Sequence, residues 1–153
     1  MSPDFLPAAD FATVIRSTPL VSIDLILVRP DGSVLVGRRQ NEPAKGCWFV
    51  PGGRIRKNER LDAAFRRLLR AETGLEGERK AAHLLGVYEH LYDTNALGDG
   101  TFGTHYVVLG YRLDVAADAP IVADAQHAEF RWRQPADLLA DPLVHQNTKA
   151  YFS

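Results

Sequence analysis

The sequence predicts a single α/β domain, and three observations lead to this fold class. The chain has 153 residues, the usual size of one domain built around one hydrophobic core. Runs of β-branched and aliphatic residues alternate with segments whose apolar residues recur at helical spacing. The sequence shows no internal repeat, low-complexity tract or Pro/Gly/Ser linker, so residues 1–153 are interpreted as one domain.

Composition and charge narrow the class of protein. Hydrophobic residues make up 46% and charged residues 24%, which is typical of a soluble globular protein. The net charge of −1 predicts no general attraction to nucleic acid or to an anionic membrane. Cys47 is the only cysteine, so no internal disulfide can form, and the first residues lack the features of a signal peptide. The expected location is therefore the cytoplasm.

The first third of the chain predicts a helix, a hairpin and a short strand. Asp10 is expected to be the N-cap of a short helix that Pro19 stops. The runs VSIDLILV and SVLVG flank a Pro-Asp-Gly turn, which predicts a β-hairpin. The segment CWFVPGG predicts a short strand that ends at its paired glycines.

A long amphipathic helix is predicted next, over residues 58–73. Its apolar residues recur at steps of three and four and form one stripe: Leu61, Ala64, Phe65, Leu68 and Leu69. Asn58 is the expected N-cap, and Gly74 is placed to end the helix in a left-handed turn.

The rest of the chain predicts three strands and two short helices. HLLGVYEHLY and THYVVLGYRLDV predict two strands, and the Gly-rich residues 93–103 between them form either a binding loop or a floppy hairpin. FRWR predicts another strand, QPADLLAD a helix that begins at Pro135, and VHQNTKAYF a last helix.

The stretch PGGRIRKNERLDAAFRRLLRAETGL, residues 51–75, carries the strongest motif. It resembles the box of the Nudix hydrolases, G-x5-E-x7-R-E-U-x-E-E-x-G-U, where U is a bulky aliphatic residue. Counting from Gly53 places the conserved acid and Arg of that box at Glu59 and Arg67, which in the family brace the loop against the helix. Leu68 and Ala71 depart from the box, which has Glu at both positions.

The two departures change the metal chemistry that the helix can support. Positions 68, 71 and 72 share one helix face, and three carboxylates there would hold two or more cations against a pyrophosphate. In this chain only Glu72 remains, and one carboxylate suits a single Mg²⁺ that also takes water and phosphate oxygens. The alternative is that Glu72 is an ordinary solvated residue. Its charge near the helix C-terminus opposes the helix dipole, by about 0.3–1 kcal/mol, which favours the metal-ligand interpretation.

Several segments resemble one branch of the family, the GDP-mannose mannosyl hydrolases. These segments are DFATVIRSTPLVS, RRQNEPAKGCWFVPGGRI, THYVVLG and the pair Gln-His that precedes FRW. The resemblance covers nearly the whole chain and implies a Nudix-type α/β/α sandwich with a mixed sheet, active as a homodimer. It also implies one Mg²⁺ per subunit, or Mn²⁺ in its place, and a nucleotide-sugar substrate. The expected reaction is hydrolysis of GDP-mannose, or GDP-glucose, at the glycosidic C–O bond with inversion.

The resemblance assigns a role to each candidate site residue. His127 is the general base, and the metal ligands are the Gly52 carbonyl, Glu72 and Gln126. The diphosphate is contacted by Arg39, Arg54 and Tyr106, and Asp24 binds the sugar or orients the base. Without the resemblance, His127 and the two Arg residues are as readily surface residues, Tyr106 a core residue, and Asp24 an exposed strand residue. His90 and Tyr92 are interpreted as core or cleft wall, without chemistry.

The chemistry can also be argued from the residue types. A nucleoside diphosphate is a good leaving group once one Mg²⁺ and Arg side chains neutralise its charge, so no general acid is needed. What remains is to activate a water molecule on the opposite face of the sugar, as in inverting glycoside hydrolysis. Two rival functions stay open: a conventional Nudix hydrolase of a phosphoanhydride bond, and a non-catalytic nucleotide-sugar sensor.

Overall fold

The computed structural model describes residues 6–40, 44–122 and 129–153, which form a mixed β-sheet with helices on both faces. The strands are β1 (Leu20–Val28), β2 (Val34–Arg38), β3 (Trp48–Phe49), β4 (Gly52–Arg54), β5 (His83–Tyr92), β6 (Thr104–Asp114) and β7 (Phe130–Arg133). The helices are α1 (Ala8–Ser17), α2 (Leu61–Thr73), α3 (Pro135–Ala140) and α4 (Gln146–Lys149), with a 3₁₀ turn at Arg79–Ala81.

The sheet follows the order β3-β2-β1-β6-β5, in which β1 and β6 are parallel and β5 is antiparallel to β6. At its C-terminal end β1 pairs with β2 through Val28 and Val34, as the hairpin prediction requires. Nearer its start, β1 pairs instead with β4, where Asp24 lies opposite Gly52. The strand β1 therefore has β4 beside one part of its length and β2 beside another, and the candidate site residues Asp24 and Gly52 are brought together at this junction.

Side chains on the two faces of β1 pack into two different hydrophobic clusters, so most of this strand is buried on both faces. Ile23, Leu25 and Leu27 pack with the apolar stripe of α2, while Ile26 and Val28 pack in a second cluster with residues of α3 and the C-terminal segment. The alternation of strand side chains thus places one layer of helix on each face of the sheet. The predicted α/β/α sandwich with a mixed sheet is confirmed.

Two predicted helix caps are wrong. The first helix begins at Ala8 with Pro7 as its N-cap, so Asp10 lies inside the first turn, where its charge still favours the helix dipole. The helix α2 begins at Leu61 with Arg60 as its N-cap. Asn58 has a φ of 66° and belongs to the preceding turn, because Asn tolerates the left-handed conformation better than most residues.

Other element predictions hold with smaller changes. Gly74 ends α2 with a φ of 76°, as expected for a left-handed C-terminal glycine. The paired glycines after Pro51 do not end a strand, since Gly52 and Gly53 are part of β4 and pair with β1. The last helix is a single turn, Gln146–Lys149. Among the described helices, none has the length and apolar character that a membrane span requires.

The Gly-rich loop 93–103 contains several hydrogen bonds between its own side chains and backbone. Asn95 is 1% exposed, and its side-chain amide donates to the carbonyl oxygens of Asp99 and Phe102. Its side-chain oxygen accepts from the backbone N–H of Leu97, and the Thr104 hydroxyl donates to the Thr94 carbonyl. These bonds satisfy the polar groups of the loop from within.

Candidate active site

The loop before α2 is fixed to the helix by one ion pair. Arg67 donates from Nε to Glu59 Oε2 at 2.6 Å and from Nη2 to Glu59 Oε1 at 2.8 Å, a two-pronged contact that fits the planar guanidinium. The Arg67 Nη2 group also donates to the Arg54 carbonyl oxygen at 2.9 Å. The hydrogen bond from Arg67 holds the pKa of Glu59 below its usual range. The predicted bracing role of this pair is seen directly, and it reaches the backbone of the candidate site residue Arg54.

Replacing Arg67 with Met is expected to lower the free energy of unfolding by about 1.5–3 kcal/mol, because a partly buried carboxylate loses its charged partner. The matched control is Arg66→Met, on the same helix. Arg66 pairs with Glu78 through exposed side chains, so its loss should cost less than about 1 kcal/mol. Urea denaturation of the two variants measures both values. Equal losses would show that the Glu59 pair contributes no more than a surface pair.

The two positions that depart from the family box have different surroundings. Leu68 is 3% exposed, lies in the cluster beneath β1 and packs over Gly53. Ala71 is exposed on the next turn of the helix. A carboxylate could not replace Leu68 without being buried in an apolar cluster, so this helix face is built to present one acid, Glu72.

Glu72 lines a cavity of about 210 Å³ between α2 and the ends of β2, β3 and β4. Gly52 and Arg39 line the same cavity. A carboxylate and a backbone carbonyl are oxygen donors that suit Mg²⁺, so these residues fit a single hard cation. Within residues 6–40, 44–122 and 129–153, no group of three His, Cys, Asp or Glu side chains could hold a metal ion. Among the described residues, the side-chain carboxylate that lines this cavity is Glu72.

A second cavity of about 90 Å³ adjoins the first and shares four of its lining residues. It brings together the predicted residues Asp24, Arg39, Arg54 and Tyr106, which come from four separate segments of the chain. The two cavities together reach the lower end of the volumes typical of small-molecule sites, about 300 Å³. A ligand that occupied both would present one end to Glu72 and the other to Asp24.

Asp24 is the most strongly perturbed acid at this site. Burial raises its pKa to about 7, although the Tyr151 hydroxyl and the charge of Arg39 act in the opposite direction. Tyr151 donates to Asp24 Oδ2 at 2.7 Å. On the other side, a Cβ on Gly52 would lie 2.5 Å from Asp24 Oδ1, so only glycine allows this close approach. A carboxyl group with a raised pKa in a cleft is a common feature of functional sites.

The other polar residues of the second cavity are suited to donate hydrogen bonds. Burial raises the pKa of Tyr106 and raises that of Tyr92 to about 12, so both phenols stay protonated at neutral pH. The Arg54 guanidinium lies over the Phe11 ring, 4.6 Å from its centroid, which fixes α1 against the site. Burial lowers the pKa of Arg54, without removing the charge of a guanidinium.

One wall of the second cavity is formed by His90 and Tyr92, which the sequence indicated as core or cleft-wall residues without chemistry. His90 lines the second cavity and is 6% exposed, and burial lowers its pKa to about 4. Its Nε2 atom has no hydrogen-bond partner among the described residues. Tyr92 lines the same cavity, on the same face of β5 as His90. Their alternation in HLLGVYEHLY indicated this wall, whereas Phe11 and Tyr151 gave no local signal of a place at the site.

Two predicted site residues lie outside the described residues. Gln126, the expected metal ligand, and His127, the expected base, both belong to the segment 123–128. Their roles stay predictions. The described strand β7 begins soon after this segment, and its first residue Phe130 lines the cavity that contains Glu72.

The chain is similar to known proteins over most of its length. The model of the NUDIX domain family matches residues 18–152. The low-salt glycan biosynthesis protein Agl8 of Haloferax volcanii is 36% identical over 130 residues, which cover 85% of this chain and 80% of that protein. An ADP-ribose pyrophosphatase of Methanocaldococcus jannaschii is 34% identical over 113 residues, 73% of this chain and 61% of its own length.

A solved structure agrees with the sequence comparison. The MutT NUDIX hydrolase of Burkholderia pseudomallei matches with a TM-score of 0.71 and 31% identity, over 89% of this chain and 97% of that chain. The mixed sheet with helices on both faces is thus a known fold. The chain belongs to the Nudix hydrolase family.

Proposed function

We propose that this chain hydrolyses GDP-mannose, or GDP-glucose, to GDP and the free sugar by attack of water at the anomeric carbon, with inversion. The observation that carries the proposal is the single carboxylate on the site face of α2. Glu72 lines the cavity, whereas Leu68 is buried in the core and Ala71 has no polar group. Attack at phosphorus in this family relies on several metals, and such a helix face supports one.

In this proposal the metal ligands are the Gly52 carbonyl, Glu72 and Gln126. Bound Mg²⁺ would withdraw charge from the diphosphate of the leaving group. The chain's own contribution is a set of donors around the same leaving group. Arg39 is shared by both cavities, and Arg54 and Tyr106 line the second. Two guanidinium groups and a protonated phenol would stabilise the negative charge of departing GDP.

The reacting centre would lie toward the second cavity. Asp24 lines this cavity beside His90, so a sugar placed there would meet a carboxylate and an imidazole. We assign the general base to His127, which would take the proton from water as the water oxygen bonds to the anomeric carbon. The bond from that carbon to the β-phosphate oxygen breaks, and GDP leaves with the electron pair.

The same proposal includes a cytoplasmic homodimer that binds neither nucleic acid nor membrane. The strand β5 supports a subunit contact, because two apolar side chains are exposed on its outward face, on either side of Glu89. Val87 is 61% exposed and Leu91 is 68% exposed on that edge strand. Apolar side chains of this size on a sheet edge are typical of protein–protein contacts.

A phosphoanhydride hydrolase is the main alternative, and the name of the Methanocaldococcus relative describes that activity in another member of the family. Hydrolysis in ¹⁸O-labelled water separates the two reactions. We expect mass spectrometry to find essentially all of the label in the sugar and none in GDP. Proton NMR of the fresh product should show the inverted anomer.

Label in phosphate would establish attack at phosphorus and refute the proposal. Tight binding of GDP-mannose without turnover, at any Mg²⁺ concentration, would instead indicate the nucleotide-sugar sensor. The same reaction mixture, followed by calorimetry for binding and by NMR for products, distinguishes all three functions.

A further inference from the structure

Tyr151 reaches the candidate site from the core of the protein. Its ring packs against the second hydrophobic cluster, which lies between the sheet and α3. Its hydroxyl donates to Asp24 Oδ2 at 2.7 Å, although the two residues are 127 positions apart in the chain. Asp24 lines the second cavity, so its carboxylate faces the ligand space on one side and Tyr151 on another.

The position of the Tyr151 ring is fixed by its neighbours. It meets the Tyr88 ring edge to face, with centroids 4.7 Å apart and an interplanar angle of 74°. A Cβ on Gly110 would lie 2.7 Å from Tyr151 Cε1, so the ring lies directly on the backbone of β6. Such packing leaves the hydroxyl little freedom to move away from Asp24.

The carboxylate is held from the opposite side as well. Its Oδ1 atom lies against Gly52, whose place β4 fixes by pairing with β1. The charged and titratable groups that act on Asp24 are Arg39, Tyr92, Tyr106 and Tyr151. Of these, Tyr151 donates the hydrogen bond to Asp24, and it does so from outside the cavity.

We propose that Tyr151 is a positioning residue whose hydroxyl fixes the orientation of the Asp24 carboxylate toward the sugar. This inference rests on the proposed function, which places the sugar in the second cavity. Burial and the nearby charge of Asp24 raise the pKa of Tyr151 above its usual range, so the hydroxyl remains a donor. A hydrogen bond from a preorganised donor holds the carboxyl group in one orientation, and we expect its loss to lower kcat.

The test replaces Tyr151 with Phe, which keeps the ring against Gly110 and Tyr88 and removes only the hydroxyl. The matched control is Tyr88→Phe, which removes a hydroxyl from the partner ring. We expect kcat with GDP-mannose to fall on the order of 10-fold in Tyr151→Phe and to stay within about twofold in the control. The affinity for GDP with Mg²⁺ should be unchanged, because Asp24 is assigned to the sugar and not to the nucleotide.

A second measurement does not depend on activity. A hydroxyl proton held by a buried carboxylate exchanges slowly, so it should give a downfield proton NMR signal. We expect this signal to disappear in Tyr151→Phe and in Asp24→Ala and to persist in Tyr88→Phe. A signal that survives in Tyr151→Phe would overturn the assigned hydrogen bond.

The outcomes also separate this inference from the proposed function. Loss of the NMR signal with an unchanged kcat would show that the hydrogen bond positions nothing, and the inference would be wrong. Equal falls in kcat and in thermal stability for both Phe variants would show that Tyr151 contributes only to packing, and the inference would again be wrong. If wild-type protein placed ¹⁸O in phosphate, the proposed reaction would fail, whereas the NMR arm would still decide whether Tyr151 holds Asp24.

Discussion

Glu72→Gln is expected to lower kcat/KM by on the order of 100-fold or more at a fixed Mg²⁺ concentration. Gln keeps the size of the side chain and one oxygen donor but removes the charge that attracts the cation. Because Glu72 is the carboxylate that lines the larger cavity, no second described acid there can take over. Part of the loss should be recovered at high Mg²⁺, since weakened binding follows mass action.

The measurement is a Mg²⁺ titration of turnover, with Mn²⁺ binding followed by electron paramagnetic resonance. The control is Glu76→Gln, which removes the same charge from an exposed residue four positions further along the chain. Neutralising Glu72 should also stabilise the C-terminus of α2 slightly, by about 0.3–1 kcal/mol, because its charge opposes the helix dipole. Unchanged Mg²⁺-dependent turnover in Glu72→Gln would mean that Glu72 is a solvated helix residue.

Asp24→Asn is expected to make the protein more stable above neutral pH and less active. The pKa of Asp24 is about 7 in the folded protein because the carboxyl is buried, whereas the ordinary value is 3.8. Between these two pH values Asp24 holds a proton in the folded state that it has lost in the unfolded state. The contribution of Asp24 to the free energy of unfolding therefore falls as pH rises. Above pH 7 the Asp24 carboxyl is ionised in both the folded and the unfolded state. Burial of this charge then lowers the free energy of unfolding by up to about 4 kcal/mol.

Asn is uncharged at every pH and its oxygen can still accept from Tyr151, so the variant avoids this cost. Its stability advantage should be largest above about pH 7 and should vanish toward about pH 4. Thermal unfolding across this range, with EDTA present, measures the difference. Asp31→Asn is a control in which the change in stability has the opposite sign. Hydrogen bonds from Ser33 hold the pKa of exposed Asp31 below its usual range, so the ionised form of Asp31 favours the folded state.

Two results would contradict the prediction for Asp24. A stability difference between Asp24→Asn and wild type that does not grow between about pH 4 and about pH 7 would show that the carboxyl is not strained by burial. An Asn variant that kept full turnover would remove Asp24 from the site. The expected combination of higher stability and lower activity is the usual mark of a charged group retained for function.

Local sequence signals predicted the elements well and their ends less well. The hairpin, the strands β5, β6 and β7, and the stripe of α2 all follow from periodicity and turn residues. The predicted caps Asp10 and Asn58 were wrong, because α1 and α2 begin after Pro7 and Arg60, and neither of these residues makes a side-chain capping hydrogen bond. Where each helix begins depends on where packing starts to support it, and a local capping signal does not record this.

The motif predicted the braced loop before its geometry was known. The spacing of Glu59 and Arg67 was enough to expect their contact, and the structure shows it with two hydrogen bonds. The sequence likewise predicted that one acid would remain on the site face of α2. The apolar stripe of α2 also included Leu68, and the structure buries this residue in the core.

The sequence by itself determined the family, the order of helices and strands, and the single acid at Glu72, since each depends on residues close together in the chain. Only the tertiary structure decided that Asp24 lies between Gly52 and Tyr151, and that Arg54 lies over Phe11. The physical reason is that burial, and the pKa shift that burial causes, depend on segments far apart in the sequence. Their meeting is set by strand register and core packing, which no local pattern records.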